Sequence, residues 1–123
     1  MKTLTLSISA ALVLASSVCA MDAPIASQAE ATKLVSAIIS DDFGSFVADG
    51  SAAFQGLKRE QFEAVVSQLS SKLKNGYDLT YLGDLNQRGY EVTLWRIRFK
   101  SGGDDLLATL SMKDGKVGGY WIK

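Results

Sequence analysis

Apolar residues recur at the spacing of one helix face in the segment that follows residue 27. Ser27 and Glu30 have the spacing of a capping box, and the apolar positions after them are Ala31, Leu34, Val35, Ile38 and Ile39. This pattern predicts a helix over residues 28–40. Asp41 and Asp42 come next, where a carboxylate can accept hydrogen bonds from the free amides of a short second helix. That helix would carry Phe43, Phe46 and Val47.

A longer apolar stripe with the same period predicts a third helix over residues 59–74. Its apolar positions are Phe62, Val65, Val66, Leu69 and Leu73. Acidic residues occupy its early turns and Lys72 and Lys74 its last turn, which suits the partial charges at the two ends of a helix. Asn75-Gly76 is a typical stop signal.

Beyond Gly76 the apolar period changes to two, which is typical of strands. Turn residues divide this half into four predicted strands, beginning at Tyr77, Tyr90, Leu106 and Val117. Asp114-Gly115 is a typical two-residue hairpin turn, so consecutive strands should form an antiparallel meander. Because the helices come first and the strands afterwards, the predicted fold class is α+β, with the N-terminal helices packed on one face of a four-stranded antiparallel sheet.

Strict alternation assigns strand residues to two sheet faces. In the second strand Trp95 and its alternate neighbours share one face, and the opposite face carries the cations Arg96, Arg98 and Lys100. In the last strand Trp121 alternates with Tyr120, and we expect Trp121 to point into the core with Trp95. Gly118-Gly119 predicts a bulge or sharp curvature in that strand.

Apolar residues therefore occur on both faces of the predicted sheet, whereas a sheet covered on one side only should show clean alternation. We expect the second face to be covered as well. The simplest cover is another copy of the same chain, so we predict a homodimer packed through the sheet.

The first twenty residues have the pattern of an export signal. Lys2 precedes an apolar stretch that ends in small residues, with Val18 and Ala20 at positions −3 and −1 of a cleavage site. We predict cleavage between Ala20 and Met21, which leaves residues 21–123 as a single exported domain, periplasmic or secreted.

Two alternatives exist for this segment. The first is an uncleaved anchor, but the apolar stretch is shorter than the roughly 20 residues that span a bilayer. The second is lipidation at Cys19, which we do not expect because Val18 stands where bacterial lipoprotein signals have Gly, Ala or Ser. No later segment is apolar for long enough to cross a membrane, so we expect no membrane span in the mature chain.

Composition restricts the chemistry. The 123 residues include 13 basic and 13 acidic side chains, no His and one Cys, which lies in the predicted signal. The chain therefore lacks the residues of a Cys/His zinc site, a Ser-His-Asp triad or a Cys-His dyad, and we expect no metal and no cofactor. Balanced charge also removes the general attraction for phosphate, so we expect no nucleic-acid partner.

The order of elements, together with the segments YLGDL, VTLWRIRFKSG and LSMKDGKVGGYWI, resembles the small exported bacterial domains of the nuclear transport factor 2-like (cystatin-like) superfamily. The resemblance covers roughly Ala29 to Ile122. It implies a curved sheet wrapped around a long helix as a cone, often dimeric through the sheet, with a pocket at the open end in the enzymatic relatives. Lys58 departs from the pattern, in which Ser or Thr caps the third helix. These motifs specify the fold and not a chemistry.

Two functions remain open. The first is a non-catalytic domain of the cell envelope that binds an unknown small ligand or envelope protein, with Trp95, Arg96, Arg98 and Tyr120 as candidate contacts. The second is a small cofactor-independent isomerase or lyase that uses Tyr and Asp at the cone mouth. Its candidate residues are Tyr77, Tyr81, Tyr90 and Tyr120 with Asp78 and Asp84. Such a site needs a phenol and a carboxylate within hydrogen-bonding distance in one pocket.

Overall fold

The computed structural model describes residues 22–123, so the predicted signal and its cleavage site at Ala20 and Met21 lie outside the described residues. Four helices come first and four strands follow: α1 (Ile25–Ser40), α2 (Phe43–Val47), α3 (Ala52–Gln55), α4 (Arg59–Lys74), β1 (Tyr77–Gln87), β2 (Tyr90–Phe99), β3 (Leu106–Lys113) and β4 (Lys116–Ile122). The strands form one antiparallel sheet in the order β1-β2-β3-β4. The predicted α+β class with a meander sheet is confirmed, and the open sheet is consistent with a cone-like fold.

The helix predictions hold for α2 and α4 and need correction at α1. The Asp42 carboxylate accepts a hydrogen bond from the backbone N–H of Ser45 at 3.1 Å and so caps α2 as predicted. Helix α1 begins three residues earlier than predicted, and its N-cap is Pro24. The capping box assigned to Ser27 and Glu30 is wrong, because both side chains are buried inside α1.

The core lies between the helices and one face of the sheet. Its buried aromatic residues come from helices and strands alike: Phe46, Phe54, Phe62, Trp95 and Phe99. Helices α1 and α4 pack against each other, and Ser27 of α1 donates a hydrogen bond to the Met112 sulfur of β3 at 3.8 Å. The apolar stripes of both helices therefore meet the sheet face that carries Trp95.

The Gly118-Gly119 bulge changes which β4 residues face the core. Ser111 of β3 pairs with Gly119 and the next residue pairs with Val117, so Gly118 is an extra residue on β4. One extra residue reverses the alternation beyond it. The predicted bulge is confirmed, but the prediction that Trp121 points into the core is wrong, since its side chain is 56% exposed.

The outer edge of β4 is covered by the connection between α2 and α3. The backbone N–H of Val117 donates to the Asp49 carbonyl at 2.9 Å, and the N–H of Ser51 donates to the Val117 carbonyl at 2.8 Å. Gly50 forms the matching parallel bridge to Val117. This contact fixes Asp49 beside α1. Among the described helices, none has both the length and the apolarity needed to cross a bilayer.

Candidate functional site

A cleft of about 480 Å³ opens between the helices and the sheet. Helices α2 and α4 and strands β3 and β4 supply most of its apolar wall, including Phe46, Phe62, Val65, Leu69, Leu106 and Ile122. Its volume lies within the range of roughly 300–1,000 Å³ that small-molecule sites occupy. We call this space the central cleft.

Tyr120 places a buried phenol in the wall of the central cleft. It follows the β4 bulge and faces the helices, with its ring edge-on to Phe46 at 6.1 Å between centroids. Its hydroxyl group is buried and has no hydrogen-bond partner within residues 22–123. Burial raises the pKa of Tyr120 well above its ordinary value, so the phenol stays protonated. A buried donor of this kind is costly unless something satisfies it.

Apart from Lys123, the rest of the described cleft lining is neutral. Gln61 and Gln68 lie two turns apart on α4, and both are exposed at the rim. Lys123, which is exposed, is the one charged residue among the described lining. Neither an Asp nor a Glu occurs in that lining. Sequence reasoning missed Gln61 and Gln68, although both share an α4 face with the apolar stripe.

The four residues predicted to contact a ligand do not form one site. Trp95 lies in the core, 2% exposed, and its indole N–H donates to the Thr93 hydroxyl at 2.9 Å. Tyr120 lines the central cleft. Arg96 and Arg98 lie on the opposite face of the sheet, as alternation predicted.

The two arginines have different surroundings. Arg98 lies opposite Asp78 on β1, and its Nε is 3.6 Å from a carboxylate oxygen of Asp105. Arg96 is half-buried, and its Nε is buried without a hydrogen-bond partner in the described part of the chain. Neither arginine lines the central cleft.

Trp121 lies on this outer face, beside a shallow depression of about 510 Å³, and it also borders the central cleft. Tyr90 forms the other side of the depression, and Ser111 and Thr109 line it between them. The Trp121 ring folds over Gly119, where a Cβ would lie 2.2 Å from a ring carbon. Glycine at that position is therefore required for the ring's present position.

The only phenol–carboxylate hydrogen bond in the described residues lies away from the lining of the central cleft. Tyr81 of β1 donates to the Asp84 carboxylate at 2.5 Å. This hydrogen bond raises the pKa of Tyr81 to about 12. Asp84 is exposed.

A buried carboxyl group lies where α1 meets the connection after α2. Glu30 is 6% exposed, and burial together with a hydrogen bond shared with Asp49 raises the pKa of Glu30 to about 7. Lys33 donates to the Asp49 carboxylate at 2.7 Å and holds the pKa of Asp49 below its ordinary value. The sequence contains a signal for this group, since Glu30 lies on the same helix face as Leu34, and the capping role predicted for Glu30 is wrong.

Comparison with known proteins adds no assignment: no protein-family model matches the chain, and a search of curated proteins finds no relative. Within residues 22–123, no three His, Cys, Asp or Glu side chains cluster closely enough to hold a metal ion.

Proposed function

We propose that this chain is an exported, non-catalytic binding domain whose ligand occupies the central cleft. The observation that carries the proposal is the buried, unpartnered hydroxyl of Tyr120 in the wall of a largely apolar cavity. Ligand sites have this composition, with mostly apolar walls and a few polar groups that orient the ligand. The resemblance to exported nuclear transport factor 2-like domains agrees with this proposal and stays a prediction.

Filling the central cleft tests this proposal. Val65 lies in the cleft wall on α4, and its neighbour Ala64 is exposed on the same helix. We expect the full chain to bind the uncharged dye N-phenyl-1-naphthylamine with a rise in dye fluorescence. Val65→Trp should abolish that rise, and Leu69→Trp provides a second way to fill the same space.

The matched control is Ala64→Trp, which adds the same indole outside the cleft and should leave dye binding unchanged. Urea unfolding of each variant establishes that it is folded. Dye binding that is absent from the wild type, or that survives both cleft-filling variants, would contradict the proposal.

The isomerase or lyase remains the alternative function. The pair that favours it is Tyr81 and Asp84, whereas the phenol of the central cleft has no carboxylate beside it in the described lining. Proton abstraction next to a carbonyl would appear by NMR as deuterium uptake from D2O into an added ketone. We expect no uptake above the uncatalysed rate. Uptake that disappears in Asp84→Asn would replace the binding proposal with the enzymatic one.

The predicted homodimer belongs to the same proposal. On the outer face of the sheet Leu107 is 40% and Trp121 56% exposed, and a self-complementary contact between two copies would cover both. Sedimentation should give a dimer at tens of micromolar for the wild type and a monomer for Trp121→Glu. Ile25→Glu is the control, because Ile25 is 88% exposed on α1. A monomeric wild type would contradict the dimer.

Export is tested by the mass of the chain recovered outside the cytoplasm. We expect a mature N-terminus at Met21. A lipid-modified N-terminal Cys19, or a chain that retains residues 1–20, would contradict the predicted cleavage.

A further inference from the structure

The lining of the central cleft restricts the charge of its ligand. Along α4 the cleft-facing residues are neutral: Gln61, Phe62, Val65, Gln68 and Leu69. The charged residue of the described lining, Lys123, is exposed, so its ammonium group remains hydrated. An ion that entered this apolar space would lose its hydration without a buried counter-charge, which is strongly unfavourable. The cleft therefore favours an uncharged molecule.

Tyr120 restricts the polarity of the ligand where the two make contact. Burial keeps this phenol protonated, so its O–H is available as a donor. The hydroxyl has no hydrogen-bond partner within the described chain. The Phe46 ring beside it offers no oxygen acceptor, and the phenol of Tyr77, which is near enough to act on the Tyr120 pKa, does not form a hydrogen bond with it. A ligand oxygen beside it would remove the cost of the unpaired donor, whereas a pure hydrocarbon would leave that cost in place.

The exposed amides of Gln61 and Gln68 add polar groups at the rim, about 10 Å apart along α4 at 1.5 Å per residue. The Gln61 side-chain oxygen accepts a hydrogen bond from the Lys58 backbone N–H at 3.2 Å, which helps to orient its amide. An apolar molecule held at Tyr120 could therefore place a second, uncharged polar group near solvent.

We propose that the central cleft binds an uncharged, largely apolar molecule whose carbonyl oxygen accepts a hydrogen bond from the Tyr120 hydroxyl. This inference rests on the proposed binding function and adds the chemical class of the ligand.

Three probes of similar shape test the ligand class on the full chain. Benzophenone carries the carbonyl, diphenylmethane has a methylene group in its place, and 4-benzoylbenzoate adds a negative charge. Equilibrium dialysis with chromatographic quantification measures the affinity for each. We expect benzophenone to bind about fivefold more tightly than diphenylmethane, the factor of one net hydrogen bond. The benzoate should bind more weakly than benzophenone by at least a similar factor.

Two matched variants test whether the Tyr120 hydroxyl causes the preference for benzophenone. Tyr120→Phe keeps the ring in the cleft wall and removes only the hydroxyl, so it should no longer bind benzophenone more tightly than diphenylmethane. Tyr90→Phe removes a phenol from the outer face and should keep the wild-type preference. If Tyr120→Phe does not fold, comparison of the three probes on the wild type still decides whether the ligand class is correct.

The outcomes separate this inference from the function on which it rests. Equal affinity of the wild type for benzophenone and diphenylmethane would overturn the carbonyl assignment and leave the apolar binding site intact. A preference that survives Tyr120→Phe would also overturn it. Tighter binding of the benzoate would overturn the neutral class. Failure of every probe, together with failure of the naphthylamine dye, would overturn the binding function itself.

Discussion

Replacing Glu30 with glutamine removes a carboxyl group whose ionisation opposes folding. The residue is 6% exposed on α1, and its Oε2 has no hydrogen-bond partner in the described residues. Burial is the largest cause that raises the pKa of Glu30 from 4.5 to about 7, and the hydrogen bond shared with Asp49 adds to it. Lys33 acts in the opposite direction, and Lys116 lies close enough to act on Asp49.

The sign of the pH dependence follows from the direction of this pKa change. Between pH 4.5 and about 7 the folded chain holds the Glu30 proton more tightly than the unfolded chain. The stability that the neutral carboxyl contributes is therefore complete below pH 4.5 and is lost as the pH rises through about 7. One pKa unit corresponds to about 1.4 kcal/mol, so the wild type should lose on the order of 2–3 kcal/mol from this group between about pH 5 and pH 8.

Urea unfolding, followed by tryptophan fluorescence between pH 5 and pH 8, measures this loss. The chain has no His, so few other groups titrate in that range. The pKa of Asp49 is lowered by Lys33, which keeps Asp49 ionised throughout. The difference in unfolding free energy between Glu30→Gln and the wild type should grow with pH by about 2–3 kcal/mol. A constant difference over the whole range, or one that shrinks with rising pH, would refute this reasoning.

Three further predictions use urea unfolding at one pH. Tyr120→Phe should stabilise the unliganded chain by about 1 kcal/mol, because it removes a buried hydroxyl without a partner; destabilisation would argue that the hydroxyl is satisfied. Thr93→Val should destabilise by about 1–3 kcal/mol, because it leaves the Trp95 indole N–H unpaired; no change would contradict that role. Gly50→Ala should destabilise by about 1–3 kcal/mol, since its Cβ would lie 2.6 Å from a buried phenylalanine ring. Gly44→Ala, within helix α2, should be neutral or stabilising by up to about 1 kcal/mol; equal effects at the two glycines would contradict the steric argument.

The candidate site could be predicted in part from the sequence. Alternation predicts Arg96 and Arg98 together on one sheet face, which depends only on neighbours along one strand. Tyr120 is a candidate contact in the sequence as well, but strict alternation places it on the face opposite the core, whereas the structure has it facing the helices. The same reasoning included Trp95, which the structure places in the core with a satisfied indole N–H. Which aromatic residue is enclosed and which is exposed depends on helices distant in sequence.

Glu30 of α1 is a second residue whose burial the sequence pattern does not decide. A Ser and a Glu three residues apart fit a capping box, and the helical period also places Glu30 beside Leu34 on the buried face. The sequence pattern is compatible with both environments. The structure decides between them because α1 begins at Ile25 and the connection at Asp49 packs beside the carboxyl.

By itself, the sequence determined what short-range periodicity controls. The change from a period of 3.6 to a period of two set the order of helices and strands, and Asp42 and Asp114-Gly115 marked a helix start and a hairpin turn. These signals act between residues a few positions apart, so they can be recognised in the sequence without knowledge of the fold. The α+β meander follows from them.

Only the tertiary structure decided which side chains the fold encloses. The extra residue at Gly118 turned Trp121 outward and left Tyr120 facing the helices, which strict alternation alone did not reveal. The central cleft and its unpartnered hydroxyl arise where β4 meets α2 and α4, helices that end about 70 and about 40 residues before β4 begins. Burial and hydrogen-bond satisfaction depend on all surrounding atoms, and only the packed structure brings those atoms together.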